Sequence, residues 1–331
     1  MISAEKNWEP RNLTPEDLAD GEAYHRALYP TGSTDVLAGW HGESIIPLVE
    51  KAAEFIKTGD IVVDYGTGSG GSAVELLKLL DSQNKNIKLV LIDPLPSWFS
   101  KAWDLLHFRE DVFFRLSSYT DSDGKYKIRT LEEMLEGEKV DYIISASTLH
   151  LIPPKVYSKL FTELYNSLKS EGTFFWNSGD IERDDKPENT VFLHDPYRRV
   201  RDLIADDKTY REKIKNMPEK VAKTIETIAA RMFPPPPTFN VLKDALTSAG
   251  FEGKIDSSVV TMNRDDARSF ITVPRLTGIA GAIEEKEERE KLILHNLEIS
   301  LNEMKERGQA NESGYQTFWT YGTFSKTGGL E

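Results

Sequence analysis

The segment Ile61-Val62-Val63-Asp64-Tyr65-Gly66-Thr67-Gly68-Ser69-Gly70-Gly71 carries the strongest structural signal in this chain. Its β-branched first half is typical of a buried strand, its glycines of a tight turn, and residues 72–80 of an amphipathic helix. Glycines let the backbone approach a ligand closely, and the free N–H groups at a helix start bind anionic groups such as carboxylates and phosphates. The segment therefore predicts a strand, turn and helix that hold a nucleotide-containing cofactor.

Two kinds of cofactor fit this turn. Gly66, Gly68 and Gly71 satisfy the G-x-G-x-x-G spacing of dinucleotide sites, so a nicotinamide dinucleotide is one interpretation. Asp64 argues against it, because a carboxylate at the end of the strand would lie close to the pyrophosphate and repel it. S-adenosylmethionine instead carries a sulfonium and an ammonium group, which a carboxylate attracts, and its own carboxylate suits the amides of the turn. The local charges favour S-adenosylmethionine.

The glycine-rich turn also resembles a known motif. Residues 64–70 (DYGTGSG) are similar to the first motif, D/E-x-G-x-G-x-G, of the small-molecule class I S-adenosylmethionine-dependent methyltransferases. Three further segments follow in the order of that family: residues 88–93 (KLVLID), 140–150 (VDYIISASTLH) and 168–176 (LKSEGTFFW). The last departs from the usual L-K-P-G-G but keeps Gly172, the glycine expected in a turn before the strand. The resemblance covers residues 40–180 and returns in 238–262 and 315–326.

The order of elements predicts the fold class. Strands near residues 61–65, 88–93, 111–116, 140–146 and 172–177 alternate with helical segments. The crossover rule then predicts a doubly wound α/β fold with a parallel sheet. The resemblance implies the seven-stranded, mostly parallel sheet of the Rossmann-like methyltransferase fold, with helical cap insertions. It also implies that the last strand, residues 316–325, is antiparallel and lies beside the fifth.

Helical segments are expected both within this core and inserted into it. Helices are predicted at residues 44–56 and 155–168, after Thr238, and at 283–307. Residues 1–42 are expected to form an N-terminal cap segment. The cofactor-binding core then comprises residues 43–180 and 238–326, with a helical lid insertion at 181–237 and a second helical insertion, 264–312, within the core.

Composition limits the kinds of function. The 331 residues include 41 Lys and Arg against 54 Asp and Glu, and the net charge of -13 would repel a nucleic-acid backbone. The absence of cysteine excludes disulfides, a cysteine nucleophile and thiolate metal sites. The sequence shows neither an export signal nor an apolar run of about 18 residues, so we expect a soluble, cytoplasmic protein without a membrane or nucleic-acid partner. A homodimer is compatible with the sequence.

The resemblance implies which residues hold the cofactor. In this family the acid that ends the second strand binds the ribose hydroxyls, and Asp93 is the matching position. After the third strand the family often has an acid or amide that faces adenine, where this chain has Ser118 and Tyr119. A turn without a ligand is the alternative for the loop, and a helix cap for Asp93. The expected cofactor-binding residues are Asp64, Gly66, Thr67, Gly68, Gly70, Asp93, Pro94, Ser118, Tyr119, Ser145 and Ala146.

Histidines are the candidate proton acceptors, because imidazole titrates near neutral pH. His150 follows the fourth strand, whose end faces the methyl group in this family, and packing near the cofactor is its alternative role. His194 in the first insertion is the competing base, and His25 and His41 are further candidates. We find no H-x-x-H motif or convincing carboxylate cluster in the sequence, so we expect a metal-independent site. The residues expected to line the acceptor pocket, with ordinary packing as the alternative, are Tyr24, Tyr29, Trp40, Tyr197 and Arg198.

These observations predict an S-adenosylmethionine-dependent methyltransferase that acts on a small-molecule acceptor. Because the sulfonium already activates the methyl group, the protein mainly has to hold an oxygen, nitrogen or sulfur nucleophile in line with the carbon–sulfur bond and exclude water. Two alternatives stay open. One is an NAD(P)-dependent oxidoreductase that uses the same glycines, and the other is a non-catalytic cofactor-binding protein on the same fold.

Overall fold

A seven-stranded sheet runs through the centre of the computed structural model, which describes residues 2–29 and 39–326. A separate two-stranded hairpin, which the sequence did not predict, follows the third strand. The predicted core strands are all present, with ends that differ by a few residues. In chain order the strands are Ile61–Tyr65 (β1), Lys88–Asp93 (β2), Val112–Leu116 (β3), Ser118–Thr120 (β4) and Tyr126–Ile128 (β5) of the hairpin, Val140–Ala146 (β6), Leu168–Ser178 (β7), Phe251–Asn263 (β8) and Gly314–Lys326 (β9).

The main sheet has the strand order β3-β2-β1-β6-β7-β9-β8. Parallel pairs join β3 to β2, β2 to β1, β1 to β6 and β6 to β7. The last strand, β9, pairs antiparallel with both β7 and β8, which confirms its predicted place. The doubly wound, mostly parallel α/β class is confirmed as well. The winding direction reverses between β1 and β6, and in such sheets this reversal opens a crevice at the carboxyl ends of the strands.

Helices cover both faces of the sheet. The helices Trp40–Phe55, Gly71–Ser82 and Pro96–Leu106 pack on one face, and Leu131–Met134, Tyr157–Ser167 and Phe239–Ser248 on the other. In chain order the helices are Pro15–Leu28 (α1), Trp40–Phe55 (α2), Gly71–Ser82 (α3), Pro96–Leu106 (α4), Leu131–Met134 (α5), Tyr157–Ser167 (α6), Asp195–Asp206 (α7), Lys208–Lys215 (α8), Glu219–Arg231 (α9), Phe239–Ser248 (α10), Arg264–Ile271 (α11) and Lys286–Glu306 (α12).

The central strands are buried on both sides, as expected for parallel strands covered by helices. Val62 and Leu89 point into the core on the side of α2 and α3. Their neighbours Val63 and Val90 point into the opposite core, beside α6 and α10. Alternate residues of a strand face opposite sides of its sheet, so these short apolar runs supply two cores at once.

Gly172 lies within β7 and not in the expected turn before it. Leu168 pairs with Val140, whereas Thr173 pairs with Tyr142, so five steps along β7 match two steps along β6. The chain bulges between these pairs. A Cβ atom at Gly172 would come within 2.8 Å of the Leu168 side chain, so the glycine permits close packing inside the bulge and does not end a helix.

The two sequence insertions are helical. Residues 181–237 contain α7, α8 and α9, and residues 264–312 contain α11, the 3-10 helix Leu276–Ala280 and α12. Helix α7 packs against α12, so the insertions contact each other. In the N-terminal segment, α1 packs against α4 and α11. The division into cap, core, lid and second insertion stays a proposal. Within residues 2–29 and 39–326, no helix combines the length and apolar character required to span a bilayer.

Candidate functional site

A cavity of about 540 Å³ opens at the carboxyl ends of β1, β2 and β6, and we call it the sheet-end cavity. The turn after β1 forms its floor, and the ends of β2 and β6 form two of its walls. The residues that line it are Tyr24, Leu28, His41, Tyr65, Gly66, Thr67, Gly68, Ser69, Gly71, Ser72, Ile92, Asp93, Pro94, Leu95, Trp98, Ser117, Ile128, Ala146, Ser147, Thr148, Leu151, Ile152, Val156, Lys159, Leu160 and Glu163.

The turn after β1 adopts a backbone conformation that glycine accepts readily. Gly66 and Gly68 have φ values of 80° and 55°, in the region that side chains disfavour. A Cβ atom at Gly66 would also lie 2.3 Å from Thr148 Oγ1. A Cβ atom at Gly70, the residue before α3, would lie 3.0 Å from Ala102, and Gly70 does not line the cavity. The first two glycines of the motif therefore shape the floor, and the third lets α4 approach.

Asp93 fastens the turn to the end of β2. The Gly68 N–H donates to Asp93 Oδ2 at 2.8 Å, and the Leu95 N–H donates to Asp93 Oδ1 at 2.7 Å. Burial raises the pKa of the Asp93 carboxyl to about 6, although these two hydrogen bonds oppose the shift. Each oxygen keeps a further lone pair, and Asp93 lines the cavity, so it can accept hydrogen bonds from hydroxyl groups of a ligand.

Asp64 lies behind the cavity wall. Ser72 Oγ donates to Asp64 Oδ2 at 2.8 Å, while Asp64 Oδ1 is buried without a hydrogen-bond partner among the described residues. Burial raises the pKa of this carboxyl to about 7. A buried carboxylate oxygen without a donor is costly, and a donor or a positive charge brought near by a ligand would relieve that cost.

Four other expected cofactor residues divide into two that line the cavity and two that do not. Pro94 and Ala146 line it. Ser118 Oγ donates to the carbonyl of Pro94 at 2.6 Å, and Ser145 Oγ donates to the carbonyl of Tyr65 at 2.9 Å. These two serines therefore fix the loops that carry the wall.

Tyr119, which was expected to bind the cofactor, does not line the cavity wall beyond β3. Tyr119 is 40% exposed, and the Arg129 guanidinium lies 4.6 Å from its ring centroid, away from the cavity. Ser117 and Ile128 line the cavity instead. The hairpin β4–β5, which the sequence did not reveal, brings Ile128 back to this wall.

A second cavity, of about 210 Å³, adjoins the first, and we call it the aromatic cavity. Six residues line both cavities: Tyr24, Leu28, His41, Trp98, Ser147 and Leu151. The remaining lining residues come from β-sheet loops, both insertions and α2: Trp40, His150, Leu193, His194, Arg231, Met232, Phe233, Pro234, Phe270, Arg275 and Leu276.

Tyr24 and Trp98 form an aromatic pair in the wall shared by the cavities. Their rings stack at a centroid distance of 3.6 Å and an interplanar angle of 4°. The Trp98 Nε1–H donates to Asp20 Oδ2 at 2.9 Å, and Ser97 Oγ donates to the same oxygen at 3.2 Å. Asp20 on α1 thereby fixes the indole of α4 in place, so the cap segment contributes directly to the site.

Two candidate bases, His150 and His194, face each other in the aromatic cavity with ring centroids 4.9 Å apart. His194 Nδ1 lies 3.1 Å from Asp180 Oδ2, and the Arg198 guanidinium donates to both oxygens of Asp180 at 2.9 Å. Burial alone would raise the pKa of Asp180, but His194 and Arg198 outweigh it and hold this pKa below its ordinary value. Asp180 is therefore an anion beside His194.

The environment of His150 is different. His150 Nδ1 and Ser178 Oγ are hydrogen-bonded at 2.8 Å. Burial, together with the nearby His194, lowers the pKa of His150 to about 3. The imidazole is therefore neutral near pH 7, and it shapes the wall beside His194.

His41 lies where the two cavities meet. Its Nδ1 is hydrogen-bonded to the Tyr29 hydroxyl at 3.0 Å, and its Nε2 lies 3.4 Å from Ser147 Oγ. Burial, together with His25, lowers the pKa of His41 to about 3. Ser147 itself has a φ of 53°, a conformation that costs energy in a residue with a side chain. The Ser147 N–H donates to Asn177 Oδ1 at 2.9 Å, which helps to hold this conformation.

The residues expected around the acceptor are only partly on the cavity wall. Tyr24 and Trp40 line the aromatic cavity. Tyr29 lies behind His41, Tyr197 packs against Phe233 and Phe270, and Arg198 binds Asp180. Sequence reasoning missed Trp98, Arg231, Phe233, Phe270 and Arg275. The proline run that begins at Pro234 was a usable signal, because it ends the helical segment beside residues that line the cavity.

Comparisons with known proteins find related structures but no related sequences. No protein-family model matches the chain, and no curated protein matches it. Among solved structures, YcgJ from Bacillus subtilis has a TM-score of 0.50 and 12% identity, over 87% of this chain and 99% of that one. The cyclopropane synthase MmaA2 from Mycobacterium tuberculosis has a TM-score of 0.49 and 15% identity, over 96% and 100%. Phosphoethanolamine N-methyltransferase 2 from Haemonchus contortus, in complex with S-adenosyl-L-methionine, has a TM-score of 0.47 and 14% identity, over 96% and 60%.

At 12% identity the likeness to YcgJ extends to the fold and not to the activity. The strand order, with an antiparallel β9 between β7 and β8, defines that fold. The chain has a doubly wound, Rossmann-like fold with a seven-stranded, mostly parallel sheet.

Proposed function

We propose that this protein is an S-adenosylmethionine-dependent methyltransferase that acts on a small-molecule acceptor. One observation carries the proposal: the sheet-end cavity joins a glycine turn to a buried strand-end carboxylate, Asp93, and opens into a second cavity that contains candidate bases. The sheet-end cavity supports cofactor binding, and the aromatic cavity supports acceptor binding.

The charges around the sheet-end cavity support S-adenosylmethionine over a dinucleotide. Asp93 and Glu163 line it, and Lys159 is the one Lys or Arg in its wall among the described residues. Lys159 Nζ lies 3.8 Å from Glu163 Oε1, and the lysine side chain is 78% exposed, so solvent screens its charge. A pyrophosphate would therefore meet two carboxylates and one solvent-screened lysine, which is unfavourable. A ligand with a sulfonium and an ammonium group suits the same wall.

Different residues of the sheet-end cavity would contact different groups of the cofactor. The backbone N–H groups of the turn would hold its carboxylate, as loops before helices commonly do. Asp93 would accept hydrogen bonds from the ribose hydroxyls, and Ser117 and Ile128 would flank the base. S-adenosylmethionine, when bound, supplies an activated methyl group on a positively charged sulfur.

His194 is the proton acceptor that the geometry supports best. Asp180 Oδ2 lies 3.1 Å from His194 Nδ1 without a hydrogen bond between them, and its negative charge would stabilise the imidazole once it carries a proton. His194 Nε2 would take the proton of an acceptor hydroxyl while the new oxygen–carbon bond forms and the methyl carbon–sulfur bond breaks, with S-adenosylhomocysteine as the leaving group. His150 is the weaker candidate because its pKa is lowered to about 3 by burial and by His194. Both nitrogens of His41 already face protein partners.

The aromatic walls exclude water from the transfer. Trp40, Trp98 and Phe270 line the aromatic cavity and are buried, so an acceptor there would leave the solvent. A dry site strengthens the attraction between Asp180 and a protonated His194.

Calorimetry tests the proposal. S-adenosylhomocysteine should bind the wild-type protein with a one-to-one stoichiometry, and NADH should not displace it. Incubation with isotopically methyl-labelled S-adenosylmethionine and a metabolite extract should then label a small molecule. Absence of S-adenosylhomocysteine binding, or tight binding of NADH in its place, would contradict the proposal. Binding without any transfer would indicate a non-catalytic cofactor-binding protein.

A further inference from the structure

The aromatic cavity has a distinctive combination of ring faces and cations. Five benzenoid or indole side chains line it: Tyr24, Trp40, Trp98, Phe233 and Phe270. The Trp40 and Phe270 rings meet edge to face at 5.7 Å, and His194 stacks near Phe270 at 6.1 Å. Flat, apolar walls of this kind favour a flat, apolar ligand body.

The volume limits the size of that body. An apolar cavity of about 150 Å³ accommodates benzene in other proteins. The 210 Å³ of the aromatic cavity therefore fits a single aromatic ring with one or two small substituents. Larger polycyclic acceptors would have to displace the lid residues Met232 and Phe233.

The charged residues of the cavity are both cations. Arg231 is the last residue of α9, and Arg275 precedes the 3-10 helix Leu276–Ala280. No Asp or Glu is among the described residues of this wall. Arg275 Nε lies 3.6 Å from Asp20 Oδ2, and its side chain is 45% exposed, so it is partly compensated. Arg231 has no ion pair within residues 2–29 and 39–326.

This charge distribution decides between two classes of acceptor. Aromatic faces alone would also attract an ammonium group through cation–π interactions. Two guanidinium groups with no acid in the wall repel that group and attract a carboxylate, which a guanidinium binds in a bidentate fashion. The cavity therefore disfavours amines and favours anions.

We propose that the acceptor is an aromatic hydroxy acid, a single ring that carries a hydroxyl group for His194 and a carboxylate for Arg231 and Arg275. This inference rests on the proposed function and names the substrate class of the same site. The hydroxyl follows from His194, because an oxygen nucleophile has to lose its proton and His194, backed by Asp180, can take it. The carboxylate follows from the two arginines.

Three single-ring phenols of similar size and different charge test the inference. They are 4-hydroxybenzoate, 4-hydroxybenzyl alcohol and tyramine, whose substituents opposite the hydroxyl are anionic, neutral and cationic. Calorimetry with the protein saturated with S-adenosylhomocysteine should give the tightest binding for 4-hydroxybenzoate and the weakest for tyramine. The labelled-methyl assay on the same compounds should rank them in the same order.

Variants locate the origin of this preference. Arg231→Gln should weaken 4-hydroxybenzoate binding by up to about fivefold, the range of an exposed ion pair, and leave 4-hydroxybenzyl alcohol binding unaffected. Arg275→Gln should have a smaller effect, because Asp20 already shares that guanidinium. Lys220→Gln is the control, since Lys220 lies exposed on the same helix, loses the same charge and does not line the cavity.

The outcomes separate the two proposals. If S-adenosylhomocysteine does not bind, the proposed function fails and this inference fails with it. If it binds but tyramine or the neutral alcohol binds as tightly as 4-hydroxybenzoate, the hydroxy-acid inference alone is wrong. It is also wrong if none of the three probes binds to the saturated protein, or if Lys220→Gln and Arg231→Gln weaken 4-hydroxybenzoate equally.

Discussion

The sheet-end cavity and the aromatic cavity share a wall, yet they are built in opposite ways. The sheet-end cavity is built around a backbone turn, since Gly66 and Gly68 shape its floor and Asp93 fastens that floor to the next strand. The aromatic cavity is made of side chains from α1, α2, α4, α9 and α11 and from loops between them. The first cavity is therefore fixed by a short local segment, whereas the second depends on the packing of both insertions against the core.

This contrast separates two kinds of mutational effect. Substitutions around the glycine turn should change cofactor affinity, and substitutions around His194 should change transfer to the acceptor. Residues of the shared wall, such as Trp98, should influence both properties weakly.

The largest effect is expected in the aromatic cavity. His194→Gln should lower kcat by about 10² to 10⁴-fold, the usual contribution of a general base, and leave S-adenosylhomocysteine affinity near that of the wild type. Labelled-methyl transfer and calorimetry measure the two quantities. His295→Gln is the control, because His295 is exposed on α12 and lines neither cavity. If His194→Gln transfers the methyl group normally but binds S-adenosylhomocysteine poorly, the roles assigned to the two cavities are wrong.

The second-largest effect is a loss of cofactor affinity, and we expect it from a substitution in the glycine turn. Gly66→Ala should weaken S-adenosylhomocysteine binding by roughly 30- to 1000-fold, because the new Cβ meets both an unfavourable φ and Thr148. Gly59→Ala is the matched control, since Gly59 has a φ of 93° but open space around it. The control should lose some thermal stability and keep its affinity in calorimetry. Equal affinities in both variants would show that the turn does not hold the cofactor.

Asp93 should give a smaller effect that depends on pH. Asp93→Asn should weaken S-adenosylhomocysteine binding by about 10- to 100-fold at pH 8, whereas His150→Ala should change it far less. Burial raises the pKa of Asp93 to about 6 in the free protein, and hydroxyl donors of the ligand would lower this pKa in the complex. The affinity for S-adenosylhomocysteine should then be highest above pH 6 and fall by up to about tenfold per pH unit below it.

Calorimetry between pH 5 and pH 8 measures this dependence. The Asp93→Asn variant should show no such loss of affinity on acidification. A wild-type affinity that is constant over the range, or that rises on acidification, would exclude Asp93 as the hydroxyl acceptor.

The smallest effect is expected in the shared wall. Trp98→Phe keeps a ring beside Tyr24 but removes the donor that Asp20 accepts, so the free energy of unfolding should fall by about 1–2 kcal/mol. Trp103→Phe is the control, because its indole N–H has no partner within the described part of the chain. Chemical denaturation measures both. Equal losses in the two variants would mean that the hydrogen bond to Asp20 is not what stabilises the wall.

The sequence predicted the first cavity better than the second for a physical reason. The turn after β1 and the acid that ends β2 are local features, and parallel strands bring their carboxyl ends together regardless of the rest of the chain. Arg231, Phe233 and Phe270 reach the aromatic cavity through tertiary packing, which periodicity does not reveal. The hairpin β4–β5 was missed because its strands have three residues each, too few for a recognisable pattern.

Gly172 illustrates a third case. The residue type was expected, but its role differs, since it relieves crowding by Leu168 inside a bulge and does not terminate a helix. Ser118 and Ser145 are similar, because they follow or end strands as expected, yet their hydroxyls bind backbone carbonyls instead of facing the cavity.

A crystal structure from crystals soaked with S-adenosylhomocysteine and NADH together tests the central claim most directly. We expect S-adenosylhomocysteine in the sheet-end cavity, its ribose hydroxyls on Asp93 and its sulfur toward the aromatic cavity. NADH in that cavity, with its pyrophosphate over Gly66 and Gly68, would contradict the account.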